Sequence, residues 1–152
     1  MARHSAGLIL HRPGPDGPEV LLVHPGGPFW AKKDAGAWSI PKGEVEPDEA
    51  PLAVARREFT EELGLPVPDT DPCPLGDVTQ AGGKVVTAWA VRADLDVTTI
   101  VSNTFELEWP PRSGRIGTFP EVDRAAWFEI ATARAKINIA QSAFLDRLPP
   151  TG

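Results

Sequence analysis

The chain of 152 residues contains no tyrosine, one methionine and a single cysteine, Cys73. One thiol cannot form an internal disulfide, and it leaves a cysteine-based zinc site without a ligand set. Flanked by Pro72 and Pro74, Cys73 reads as a lone thiol in a loop. Positive charge is also in deficit: 15 Lys and Arg against 21 Asp and Glu give a net charge of −6. A nucleic-acid polymer binder normally carries a basic stripe, so the balance argues against that class. Nucleotides stay open, because a divalent metal can supply the missing positive charge. Long apolar runs are missing too. The early run "AGLIL" is too short to span a bilayer and lacks a signal-peptide layout. The expected setting is therefore cytoplasmic, with no membrane partner.

What is present describes an ordinary globular domain. A hydrophobic share of 41% suffices for one core without staples. The prolines and glycines are numerous but dispersed, which marks turns rather than low complexity. No composition shift or repeat divides the chain, so residues 1–148 are expected to form one domain and 149–152 a tail.

Short apolar runs, "AGLIL" and "EVLLVH", predict two strands joined by the loop "RPGPDGP". "PGGPFWAKKDAG" predicts a loop carrying Phe29, Trp30, Lys32 and Lys33, followed by a short strand "AWSI". "GDVTQ" and "KVVTAWAVRA" predict a hairpin around Ala81-Gly82-Gly83, its second strand apolar on both faces and hence central. "FELEWPPRSGRIGTFPEVD" reads as irregular and "RAAWFEI" as a strand. A last helix is expected behind Asn138, with Phe144, Leu145 and Leu148 on its apolar face. These elements specify an α/β domain, a mixed sheet between helices.

The informative stretch is "PKGEVEPDEAPLAVARREFTEELGL", Pro41 to Leu65. Leu52, Phe59 and Leu63 recur at helical spacing, with Asp48 suited to the N-cap and Gly64 to the stop. Glu58, Glu61 and Glu62 are neighbours on the opposite face, expected to point outward. Like charges at this spacing cost about 0.2–0.5 kcal/mol per pair, and the helix dipole disfavours anions in the last turn. Either the cluster is a solvated surface neutralised by Arg56 and Arg57, or a hard divalent cation belongs there.

The order of residues decides between these. Gly43, five residues, Glu49, seven residues, then Arg57-Glu58-Phe59-Thr60-Glu61-Glu62-Leu63-Gly64-Leu65 matches the Nudix box at every fixed position. With "AWSIPKG" before it and a late "E…WF" element after it, the chain resembles Nudix hydrolases over most of its length. The resemblance implies an α/β/α sandwich with a mixed sheet and the box as loop–helix–loop. It implies Mg2+, or Mn2+, held by Glu58, Glu61, Glu62 and the Lys42 carbonyl. Arg57 would orient Glu58, while Gly43, Glu49 and Gly64 would be supporting box residues.

It further implies hydrolysis of a phosphoanhydride in a nucleoside diphosphate linked to another group, with water attacking phosphorus and metal neutralising the phosphate oxygens. A general base must reach that water. Glu106, Glu108 and Glu121 are candidates; Glu121, ahead of Trp127-Phe128, fits the family layout, and Glu58 itself is a further one. Phe29 or Trp30 could stack on a base, Lys32, Lys33 or Lys84 could meet phosphates, and Trp109 could cap the site. Each also has a plain reading as loop packing or a solvated lysine. His4, His11 and His24 show no metal spacing and receive no role.

Within the family, "WSIPKGEVEP" and "GGKVVTAWAV" are most similar to asymmetric diadenosine tetraphosphate hydrolases, which makes dinucleoside polyphosphates the expected substrates. Oxidised or non-standard nucleoside triphosphates are the alternative, and a non-catalytic nucleotide-binding domain is a reading of another class. Two departures stand out. Relatives of the tetraphosphate subgroup commonly stack adenine on a tyrosine, which this chain lacks, and the stretch from Phe105 to Asp123 is longer than its counterpart.

Overall fold

The computed structural model describes residues 3–150. Strands β1 (His4–Gly14) and β2 (Gly17–Pro25) form an antiparallel hairpin with Gly14 opposite Gly17. Most of "RPGPDGP" is thus strand, and the turn shrinks to Pro15-Asp16. The expected loop from Gly26 to Gly36 follows, made of turns and bends. "AWSI" supplies only isolated bridges, Val23 with Ser39 and Trp38 with Ile137, and the strand begins later as β3 (Lys42–Glu44). The helix is α1 (Pro51–Leu63). Strands β4 (Cys73–Thr79) and β5 (Val85–Arg92) form the expected hairpin across the 3-10 turn Ala81–Gly83. Cys73 therefore opens a strand rather than sitting in a loop.

The stretch read as irregular is a second, separate hairpin, β6 (Thr104–Glu108) with β7 (Ile116–Pro120). Its alternation, Phe105 and Leu107 against Glu106 and Glu108, was overshadowed by the turn residues of "WPPRSG". Strand β8 (Val122–Glu129) completes the sheet. A helix absent from the sequence reading, α2 (Ile130–Lys136), follows directly. Asn138 does cap, its side chain accepting from the Ala140 N–H, but it caps a 3-10 turn that leads into the four-residue α3 (Ala143–Asp146).

The main sheet runs β4-β5-β1-β2-β8, with β1 and β5 parallel and the other neighbours antiparallel. β1 shares one edge between two partners: His11–Gly14 pairs β2, whereas Ser5–Gly7 pairs β3. β2 and β3 diverge from that edge, and the wedge between them is spanned by the Val23–Ser39 bridge. This opening positions the site.

Alternation along the strands builds a core on each face. Leu8, Leu10 and Leu21 pack with Val54, Phe59 and Leu63 of α1. Ile9, Leu22, Val86 and Ala88 pack with Ala133 of α2 and Phe144 of α3. β5 feeds both layers, as its two apolar faces predicted. The result is an α/β/α sandwich. The helix stripe holds, with Leu52 only half-buried and Val54 and Ala55 fully buried. Asp48 does not cap: Ala50 is the N-cap, without a side-chain bond, and Pro51 stands at the first helical position. Proline's fixed φ suits that position, and its missing N–H costs nothing there. Gly64 ends the helix in the left-handed conformation, at φ 68°.

Candidate active site

Along β3 the ladder to β1 is flanked by Leu8 N–H donating to the Pro41 carbonyl and Val45 N–H donating to the His4 carbonyl. Strand alternation then turns the N–H and carbonyl of Lys42 away from β1, toward the open edge of β3. That edge is covered by α1. Glu62 reaches it and takes a backbone hydrogen bond from Lys42, while Glu58 lies directly over Gly43. The fit at Gly43 is close: a Cβ there would stand 2.0 Å from Glu58 Cδ. Only glycine leaves room for the Glu58 side chain in this position.

The three box glutamates therefore do not share an outward, solvated face. Glu61 is exposed, Glu58 is mostly covered, and Glu62 keeps a little surface while its carboxyl lies deep against β3. Lost hydration raises Glu62 to about 8, the charges of Glu58 and Glu121 add to this, and the Lys42 ammonium opposes it. Glu58 is raised by the same desolvation and then by the charge of Glu61.

Arg57 touches three carboxylates. Its short, strong contact is with Glu49, and it leans on Glu58 at 3.7 Å and Glu61 at 3.8 Å. Glu49 also accepts from the Glu46 N–H at 3.0 Å, which together with Arg57 holds its carboxyl below the usual range. Helix angle would put Glu49 far from the trio, but Glu49 precedes the helix and folds back onto it. One guanidinium thus ties the entry loop to two acidic side chains. Arg57→Lys, which keeps the charge and loses the fork, is expected to lower kcat about 10- to 100-fold with KM little changed. Steady-state kinetics checks it.

The segment behind α1 brings in the outlying glutamate. Val101 and Asn103 N–H groups donate to the Leu63 and Glu61 carbonyls, satisfying the helix end. Asn103 in turn accepts from the Glu121 N–H at 2.9 Å, and the Glu121 carbonyl accepts from Gly26 at 3.0 Å. So held, Glu121 lines a cavity of about 180 Å3 with Glu62, Lys42 and Ser39. Glu106 and Glu108 lie on the separate hairpin, and Glu108 accepts from the Arg112 N–H.

A second cavity of about 210 Å3 shares Pro25, Ser39 and Lys42 with the first and extends the groove to Trp30, Gln80, Asn138 and Gln141. Trp30 is 40% exposed beside it. Lys84 lies half-buried next to Lys42, and burial followed by that neighbouring ammonium lowers its pKa. Trp109 packs edge-on against Phe29 at 5.1 Å. Lys32 lines a different cavity, with Asp34, Arg124 and Lys136.

Sequence reading missed His24, Gln80 and Gln141. His24 is buried, with Nδ1 2.9 Å from Asp123 and Nε2 2.7 Å from the Lys33 carbonyl, so it fastens the loop that carries Trp30. No spacing motif announces such long-range partners.

Among the described residues, no three His, Cys, Asp or Glu side chains are gathered as a ready ligand cluster. The donor chemistry nonetheless suits a hard cation: Glu62 is a deep carboxylate without a full counter-charge, Glu58 is held over Gly43, and the Lys42 carbonyl faces the same edge.

An α/β/α sandwich with an acidic loop–helix–loop at the opening of its sheet defines the class of this domain. The chain belongs to the Nudix family, whose NUDIX domain model matches residues 1–148. Over 62 residues it is 44% identical to a putative 8-oxo-dGTP diphosphatase 3 of Mycobacterium tuberculosis, covering 40% of this chain and 27% of that protein. The match thus spans about a quarter of that relative's length. The fold is similar to a C. elegans Ap4A hydrolase binary complex, with TM-score 0.65, 20% identity and coverage of 93% and 92% of the two chains. It is also similar to the M. smegmatis Nudix hydrolase RenU, with TM-score 0.59, 24% identity and coverage of 97% and 84%. These structural likenesses establish a shared fold.

Proposed function

We propose that the protein is a divalent-metal-dependent pyrophosphohydrolase that cleaves a phosphoanhydride bond of a nucleoside diphosphate linked to another group. The observation that carries this reading is Glu62, a deep carboxylate raised to about 8, facing Glu121 across a cavity that Lys42 also lines. A bound cation offsets the cost of ionising such a group while also meeting a phosphate chain, which favours a metal-dependent hydrolase over a plain binding module.

Mg2+, with Mn2+ as substitute, would be held by Glu58, Glu62, the Lys42 carbonyl and the more exposed Glu61. When bound it neutralises phosphate oxygens and makes water a better nucleophile. The chain's own groups do the rest. Arg57 holds Glu58 and Glu61 in place, and the Lys42 and Lys84 ammoniums meet phosphate oxygens further along the groove. Glu121 is the base that takes the proton from the attacking water, with Glu58 as the alternative. Trp30 stacks on a base at the far end.

Dinucleoside polyphosphates are the leading substrates, supported by two aromatic surfaces near the loop, Trp30 and the Phe29–Trp109 pair, for two bases. Oxidised nucleoside triphosphates are the second reading, favoured by the local 44% identity to a putative 8-oxo-dGTP diphosphatase. A panel of both classes with Mg2+ tests this. A tetraphosphate dinucleotide should give a monophosphate and a triphosphate, and a triphosphate should give a monophosphate and pyrophosphate. Cleavage of neither class defeats the hydrolase reading. Full activity in Glu58→Gln defeats the site assignment.

A further inference from the structure

Strand β8 carries an extra residue near its start. Its register with β2 sets Arg124 opposite His24 but Val122 opposite Pro25, so Asp123 is left without a partner across the ladder. A residue left over in this way bends its strand and re-aims the side chains beside it. The bend falls two residues after Glu121. Pro25, opposite Val122, has no N–H for the ladder. The next tie is Gly26 N–H, which donates to the Glu121 carbonyl at 3.0 Å. The approach there is close: a Cβ on Gly26 would stand 2.0 Å from the Pro120 carbonyl oxygen. The side chain that holds the leftover residue is His24. Its ring is buried, with Nδ1 2.9 Å from Asp123 Oδ1 and Nε2 2.7 Å from the Lys33 carbonyl oxygen. Both partners are acceptors, so both bonds form together only when each ring nitrogen carries a proton. The Arg124 guanidinium also approaches that Asp123 oxygen, at 3.9 Å, while the Lys33 ammonium lies over the Trp30 ring. Trp38 packs edge-on against the imidazole, 5.2 Å between centroids.

We propose that His24 and Asp123 are positioning residues, whose contact sets the bulge that turns Glu121 into the cavity lined also by Glu62 and Lys42. The inference rests on the hydrolase reading above, in which Glu121 takes the proton from the attacking water, and it adds what holds that base in place. Neither side chain touches the substrate. Through Nε2 the histidine holds the loop that carries Trp30, and through Nδ1 it holds the bulge that follows Glu121. Loss of the Nδ1 contact lets the bulge relax and moves the Glu121 carboxylate off its line, which costs rate while the loop stays fastened.

Asp123→Ala removes the more exposed half of the pair and leaves the bond from His24 to Lys33, so the core stays filled. It is expected to lower kcat about 10- to 100-fold with KM changed less than about threefold. Asp123→Asn, whose amide can still bond the ring, should restore most of that loss. In a Glu121→Gln background Asp123→Ala should lower kcat no further, because the group it positions is gone; a general loss of structure would lower both backgrounds alike. Nitrogen-15 NMR reads the ring directly. At pH 7 the wild type should show two slowly exchanging ring N–H signals for His24, and Asp123→Ala only one. An unchanged kcat in Asp123→Ala, additive losses with Glu121→Gln, full activity in Glu121→Gln, or a single ring N–H signal in the wild type overturns the proposal while the hydrolase reading stands. If the wild type cleaves no phosphoanhydride, the two fall together.

Discussion

Glu62→Gln is expected to make the metal-free protein more stable at pH 8 and, in the same variant, to lower hydrolysis at least about 100-fold. The two effects share one cause. The folded protein holds the Glu62 carboxyl at about 8, against an ordinary value of 4.5. Between those values the folded state binds a proton that the unfolded state has already released. Stability from this group is therefore fully present below pH 4.5 and is lost as pH rises toward 8. The loss is on the order of a few kcal/mol. Glutamine carries no charge to desolvate, so its melting temperature in chelator should fall less between pH 5 and 8 than that of the wild type. At the proposed site Mg2+ would bind the ionised carboxyl, and it should raise the wild-type melting temperature more at pH 8 than at pH 5. Calorimetric scans with and without chelator read both effects. Parallel pH profiles for wild type and variant would mean that the Glu62 carboxyl is not held protonated by burial.

Gly43→Ala should also show a large loss of activity with little loss of fold. The added methyl meets Glu58 Cγ at 2.2 Å and Cδ at 2.0 Å, contacts that real atoms do not make. The obstacle is the far part of a flexible side chain rather than backbone, so Glu58 can swing aside while α1 and β3 stay paired. A carboxylate displaced by about an ångström from a catalytic constellation costs about 100-fold in rate. The melting temperature should hold within a few degrees while kcat falls by that factor. Full activity in Gly43→Ala would mean that Glu58 does not act from the position seen over Gly43. A collapse of the melting temperature would mean that Glu58 cannot move.

The box was legible because it is local. Its residues fall within one loop and one helix, so spacing alone revealed the motif, and family resemblance implied their roles. Helical period placed Phe59 and Leu63 in the core correctly, and Gly64 at the end. It failed for Glu62, read as outward, because period describes a helix in isolation. The helix lies close on β3, and the border of its buried face passes beneath Glu62. It failed for Glu49 for a related reason: a residue before the first turn has no helix angle, and Arg57 draws it back.

Elements with weak local signals were misread in the same way. The four acceptable positions of "FELE" alternate correctly for a strand, yet the proline and glycine that follow suggested disorder of pattern. Only the partner strand, with Phe105 opposite Phe119, makes it a ribbon. α2 offers seven residues, too few for a period to declare itself.

The sequence by itself determined the family, the acidic helix and the class of chemistry, since these rest on residues a few positions apart. Tertiary structure alone decided which carboxylate is deep, that Glu121 lines the same cavity, and that the amide oxygens of Gln80 and Asn138 are bonded within the fold. Those features depend on pairs such as Gln80 with Gln141 or Glu62 with Glu121, roughly sixty residues apart. Distance along the chain carries no directional information; burial and backbone hydrogen bonds in the folded sheet do.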